Sequence, residues 1–99
     1  MDTTPEIVNN QGASRFEIHL EGKMAYQEYI QTKQDLVVSH TEVPKALEGK
    51  GLGSLLAKNA LLYTEKSGLK MMPLCPFVAT YIRKHYEDYK HLLSPGFNV

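Results

Sequence analysis

The 99-residue chain has one cysteine, no tryptophan and no surplus of charge, since eleven lysines and arginines balance eleven aspartates and glutamates. Each scarcity excludes something. The lone Cys75 cannot build an internal disulfide framework or a multi-cysteine zinc site, and it fits a reducing compartment. A formal net charge of zero leaves no basic footprint of the kind that nucleic-acid binders carry. No apolar stretch approaches the roughly 20 residues needed to span a bilayer. Met1-Asp2-Thr3-Thr4-Pro5 lacks the basic-then-apolar start of a secretory signal. His19, His40, His85 and His91 are too scattered to suggest a metal site, and no pair of carboxylates has a spacing that suggests glycosidase chemistry. The expectation is a soluble cytoplasmic protein without metal, nucleic-acid or membrane partners. With 42% hydrophobic residues it can build one core, so a single domain over residues 1–99 is expected, loose at 1–5 and 94–99.

What is present has a clear order. Residues 15–21 alternate, with Phe16, Ile18 and Leu20 on one face and Arg15, Glu17, His19 and Glu21 on the other, which predicts a half-buried strand. Glu21-Gly22-Lys23 turns the chain, and residues 24–30, rich in β-formers, predict the returning strand of an antiparallel hairpin. Residues 36–43 predict a third strand, stopped by Pro44, and a shorter one is expected around residues 6–9. Leu52, Leu55, Leu56, Leu62 and Tyr63 recur at helical spacing, and Gly68 supplies the stop. Residues 70–74 then suit a strand parallel to the third, and Pro76 opens a second helix over 77–85 in which Phe77, Tyr81 and His85 share a face. No repeat, linker or low-complexity segment appears.

The chemistry points to one loop. Between the third strand and the long helix lies Glu48-Gly49-Lys50-Gly51-Leu52-Gly53-Ser54. Glycine lets backbone approach a ligand without Cβ interference, and the first helical turn offers unpaired N–H groups at the positive end of the helix dipole, so the segment suits an anion. It is not a Walker loop, because Lys50 lies between the glycines with no hydroxyl residue after it, and the dinucleotide fingerprint fails at Ser54. A loop that merely turns the chain into a helix remains the plain alternative. Cys75, just ahead of Pro76, is the second candidate: a helix N-terminus favours a thiolate there, while a small buried hydrophobe is the plain alternative.

Gly51-Leu52-Gly53, with Glu48 in the place of Gln or Arg, resembles the acetyl-CoA loop of the GNAT superfamily of N-acetyltransferases, usually written Q/R-x-x-G-x-G/A. The order from residue 16 to 93 is similar to the minimal, stand-alone members, most specifically at His40-Thr41-Glu42-Val43-Pro44, the glycine loop and Cys75-Pro76. The resemblance implies an α+β fold with an antiparallel N-terminal hairpin, two splayed parallel central strands and two main helices. It implies acetyl-CoA as co-substrate, a primary amine as acceptor, and pyrophosphate bound by backbone N–H groups and Lys50 at Gly49, Lys50, Gly51, Leu52, Gly53 and Ser54. Pantetheine would lie along the strand near His40 to Val43, so Thr41 and Val43 join the site. The larger members' Asn-x-x-Ala helix and leaving-group tyrosine are replaced here, with Pro76 for Asn, Ala79 retained and Arg83 near the tyrosine place. Tyr81 is a substitute acid. Cys75 is the catalytic candidate of the minimal family, either taking the acetyl group covalently or protonating the departing CoA thiolate. His40 is the candidate base that would free the amine of its proton. Two alternatives stand beside transfer: a catalytically weak CoA or acyl-CoA binding module, and a structural partner-binding domain whose glycine loop is only a helix cap.

Overall fold

The computed structural model describes residues 5–99, so the expectation for the start of the chain falls almost wholly outside it. Four strands, β1 (Val8–Asn10), β2 (Arg15–Leu20), β3 (Lys23–Gln31) and β4 (Asp35–Glu42), run antiparallel to their neighbours, and β5 (Lys70–Pro73) adds parallel to β4. Sheet order follows chain order. The hairpin between β2 and β3 closes through Glu21 and Gly22, both at positive φ (53° and 73°), the mirror-image turn that matches the natural twist of paired strands. The crossover from β4 to β5 is α1 (Leu52–Lys66), and α2 (Pro76–Lys84) and the short α3 (Tyr86–Tyr89) follow β5. This is the mixed α+β architecture expected from the sequence.

One contiguous core fixes how the helices lie. Phe16, Ile18, Ala25, Tyr29, Leu36, Val38 and Met71 from the sheet bury against Leu52, Leu56, Ala60 and Leu61 of α1 and Val78 and Ile82 of α2. The sequence stripe for α1 is corrected by one residue near its end: Leu61 is buried and Leu62 is exposed. Thr64 tolerates burial because its hydroxyl donates to the Ala60 carbonyl (2.7 Å). In α2, Phe77 and His85 are exposed and Tyr81 is half-buried, because the inward face is Val78 and Ile82. The tail is not loose at its start: Ser94 is buried, with its hydroxyl donating to Asp35 (2.6 Å) and its N–H to the Met71 carbonyl (2.9 Å).

Two features of the sheet could not be read from alternation. Glu17, on the outward face, is buried beneath Arg15, His19 and Asn10, which all bond its carboxylate. The second is a bulge in β4, where Glu28 pairs with His40 but Tyr29 pairs with Val38, leaving Ser39 as an extra residue. Because side chains alternate, one extra residue exchanges the faces of everything after it. Thr41, paired with Gln27, therefore joins Val38 on the core face, while His40 joins Glu28 on the open one.

Candidate functional site

The loop after β4 is shaped by its glycines. Gly49 and Gly51 sit at φ 83° and 75°, left-handed conformations that a side chain would strain, and Gly51 caps α1. The cap has no side-chain hydrogen bond, the first turn carries no acidic residue, and the first helical bond to the cap runs from Leu55 N–H to the Gly51 carbonyl (3.1 Å). The N–H groups of Leu52, Gly53 and Ser54 are therefore left at the positive end of a 15-residue helix, the geometry that receives an anionic oxygen. A cavity of about 190 Å3 opens over them, lined by Val43, Leu47, Glu48, Gly49, Gly51, Leu52, Gly53, Ser54 and Phe77. Gly53 differs: a Cβ there would come within 2.7 and 2.8 Å of ring carbons of Phe77, so a side chain at this position needs that half-exposed ring to shift. Lys50 does not reach into this cavity; its ammonium pairs with Glu21 of the hairpin turn (3.2 Å).

Beside the loop the sheet splits. The parallel pairing of β4 with β5 ends at Val38 and Pro73, and the Val38 carbonyl closes the ladder by accepting N–H bonds from both Leu74 (3.1 Å) and Cys75 (3.0 Å). Beyond that point β5 turns into α2 while β4 runs on to Glu42, so among the described residues the β4 edge from Ser39 to Glu42 has no strand on that side. Cys75 sits at the base of the split as the N-cap of α2 and is only 1% exposed. Its thiol donates to Thr41 Oγ1 (3.1 Å), which also accepts from Gln27 Nε2 (3.2 Å). With its oxygen already supplied by Gln27, the Thr41 hydroxyl has its own proton free to turn onto the sulfur if the thiol ionises. Gln27 is fully buried, and its Oε1 has no partner among the described residues. This row of Gln27, Thr41 and Cys75 exists only because the bulge turns Thr41 inward. A bulge leaves no compositional trace, and Gln27 carried no signal except polarity at a core-face position of β3.

His40 and Cys75 are not brought together. His40 is exposed on the open face, where its Nε2 lies 3.0 Å from Glu42 Oε1 and its ring stands 6.2 Å from that of Tyr26. The two candidates flank β4 from opposite faces. Val43 carries the strand into the loop cavity, and Ser54 forms its far wall. There a second cavity of about 380 Å3 begins, lined by Ser54, Pro76, Phe77, Thr80, Tyr81 and Lys84. Tyr81 belongs to this outer cavity, with its ring 4.6 Å from His85 and 5.8 Å from Tyr89. Burial first, and then the neighbouring Tyr89 phenol, raise its own phenol above the ordinary range. No group of three or more potential metal ligands occurs among the described residues.

The chain is similar to Protein NATD1 of Mus musculus (31% identical over 86 residues, 82% of this chain and 77% of the relative) and of Xenopus tropicalis (29% over 86 residues, 82% and 78%). Protein NATD1 of Gallus gallus is 27% identical over 84 residues, covering 81% of this chain and 76% of the relative. Residues 15–92, from the start of β2 to the end of the helical segment after α3, match the family described as GCN5-related N-acetyl-transferase. With most of its length matched in this way, the chain belongs to the GCN5-related N-acetyltransferase family.

Proposed function

We propose that the protein transfers an acetyl group from acetyl-CoA to a primary amine. The observation that carries this reading is the continuity of two features: the unpaired N–H groups of Leu52, Gly53 and Ser54, and the unpaired β4 edge that leads from them through Val43 to Thr41 and Cys75. The loop would hold the pyrophosphate through backbone N–H groups. Lys50, tied to Glu21, would add only a salt-sensitive attraction. The β4 edge would pair with pantetheine amides as a strand would. That run delivers a thioester to Cys75.

Two routes use the thiol. In one, the Cys75 thiolate attacks the acetyl carbonyl, the bond to the CoA sulfur breaks, and the CoA thiolate leaves; a neutral amine then attacks the acetyl-cysteine, the carbon–sulfur bond breaks to regenerate the Cys75 thiolate, and the new amide nitrogen sheds its extra proton to water. In the other, the amine attacks acetyl-CoA directly, the Cys75 thiol protonates the departing sulfur, and the proton shed by the new amide nitrogen returns Cys75 to the thiol. Both require a neutral amine. His40 stands across β4 from Cys75, so as a base it would take the ammonium proton only before the acceptor reaches the split, with Glu42 beside it. A reducing compartment such as the cytoplasm suits a mechanism that needs Cys75 free.

A second reading, a CoA-binding module that transfers poorly, draws on the burial of Cys75 at 1% exposure. Calorimetry with acetyl-CoA, followed by intact-mass analysis after incubation with labelled acetyl-CoA, tests both. Micromolar binding, with acetyl on Cys75 or transfer to an amine that Cys75→Ala largely abolishes without loss of CoA affinity, supports the enzyme. Binding with no transfer to any amine supports the module. Absence of binding removes both and leaves a helix cap.

A further inference from the structure

Among the described residues, the Gln27 carbonyl oxygen is the one buried side-chain polar atom without a hydrogen-bond partner. On the core face the register sets Gln27 between Phe16 of β2 and Thr41 of β4, with Ala25 and Tyr29 two residues away along β3. Phe16 and Ala25 offer its amide nothing, and the Tyr29 hydroxyl is committed to Asn9 (2.6 Å). The amide bonds Thr41 instead, and Thr41 bonds the Cys75 thiol.

This row can be completed in two ways. With Cys75 a thiol, the full set has the S–H donating to Thr41 Oγ1 and the Thr41 O–H donating to the Gln27 carbonyl oxygen. With Cys75 a thiolate the direction reverses: the Gln27 N–H donates to Thr41 Oγ1, and the Thr41 O–H donates to sulfur. The amide already stands in the second orientation, with Nε2 on Thr41 at 3.2 Å, while the thiol still donates from the other side at 3.1 Å. Thr41 Oγ1 thus accepts twice, and neither bond uses its own proton. A half-turn of the amide would complete the neutral row; the orientation present is the one that suits the thiolate.

We infer that Gln27 is a positioning residue for the Cys75 sulfur: its N–H holds Thr41 with the hydroxyl proton free for sulfur, and so readies Cys75 to react as a thiolate. The inference rests on the proposed transfer only for the electrophile, the acetyl carbonyl. In the first route the Cys75 proton goes to water before attack, and in the second it goes to the departing CoA sulfur. Either way the sulfur becomes an anion in an apolar core, where the chain from N–H through O–H to sulfur supports it and the N-terminus of α2 favours the same charge. A hydroxyl that itself accepts a hydrogen bond donates a stronger one.

Cys75 is the only cysteine, so alkylation by iodoacetamide, followed by intact mass, reads this sulfur alone and without CoA. Rates at neutral pH are compared for wild type, Gln27→Met, Thr41→Val and the double variant, with circular dichroism confirming the fold; Gln27→Leu replaces Gln27→Met if the latter does not fold. Gln27→Met is expected to slow alkylation by roughly threefold to tenfold, because the thiolate is the reacting form and loses its support. A change that merely loosened the core would admit the reagent and speed the reaction. On a Thr41→Val background, Gln27→Met is expected to change the rate by less than about twofold, since Gln27 acts through Thr41. In acetyl transfer, Gln27→Met should lower kcat in the same proportion while the acetyl-CoA Kd holds within about twofold. Alkylation of Gln27→Met at the wild-type rate or faster, an equal slowing with and without the Thr41 hydroxyl, or an unchanged kcat overturns this inference and leaves the CoA site standing. Thr41-dependent slowing in a protein that binds no acetyl-CoA overturns the proposed transfer and leaves the positioning role.

Discussion

Gln27 and Thr41 show what a single inserted residue does to an active-site candidate. The bulge at Ser39 turns Thr41 into the core beside Gln27 of β3, where an unmade hydrogen bond costs roughly 1–3 kcal/mol. The Thr41 hydroxyl partners both Gln27 and Cys75, whereas the Gln27 carbonyl oxygen partners nothing. Removing each has a different expected outcome. Thr41→Val orphans the whole Gln27 amide and should cost about 1–3 kcal/mol in urea unfolding. Gln27→Met removes the orphan and keeps the volume, so it should change stability by under about 1 kcal/mol in either direction. The double variant should then be more stable than the sum of the two single changes predicts, because no amide is left unpaired. Strict additivity would mean that the three residues do not act as a unit. Little of this was legible in the sequence, since a polar Gln27 at a core-face position of β3 names no partner and nothing near Ser39 announces an extra residue. His40 and Thr41 could be named as site residues, but their faces could not.

At the scale of elements the sequence spoke more plainly, because periodicity over many residues averages out local exceptions. The hairpin, the parallel return at Lys70–Pro73 and both main helices lie within a residue or two of where alternation, helical spacing, Gly68 and Pro76 put them. What it could not give was which of two adjacent leucines, Leu61 or Leu62, turns inward, since both fit an apolar stripe at that resolution. The three glycines of the loop looked alike and are not. Gly51 holds a left-handed φ with open space around it, so Gly51→Val is strained by its backbone, at roughly 1–3 kcal/mol, and should weaken CoA binding at least tenfold in calorimetry. Gly53 is helical, and its trouble is Phe77, which a Cβ would meet at 2.7 Å. Gly53→Ala should therefore lower both stability and CoA affinity by displacing that ring. Against a Phe77→Ala background the same change should no longer cost stability and should add up to about 1 kcal/mol, since alanine is otherwise the better helix former. A Gly53→Ala penalty that persists without Phe77 would show that the backbone, and not the ring, requires glycine there.

Taken as a whole, the molecule carries its helices on one face of the sheet and leaves Glu28, Ile30 and His40 of the other face exposed. Charge arrangement matters most on that second face, although the chain has no net charge to advertise it. Glu17 accepts hydrogen bonds there from Arg15, from His19 (2.9 Å) and from Asn10 (3.0 Å), and Arg15 also lies 5.4 Å from the centroid of the Tyr26 ring. The bond from Arg15, then that from His19, outweigh the opposing effect of burial and bring the carboxyl from its ordinary 4.5 down to about 2. A folded-state value below the unfolded one means the charged form is favoured by folding. Its contribution is complete above the ordinary value, declines as pH falls below 4.5 and is lost as pH passes through about 2. Because Arg15 and His19 are themselves open to water, the contribution at neutral pH should be well below the full shift, about 1–2 kcal/mol. Glu17→Gln should accordingly lower Tm by roughly 4–10 °C at pH 7. Against wild type, that gap should narrow steadily between pH 4.5 and 2.5, because the wild-type carboxyl is then losing the charge the variant never had. Thermal unfolding at several pH values reads this directly. A gap that stays constant down to pH 2.5 would place the value of Glu17 in its packing and not in its charge.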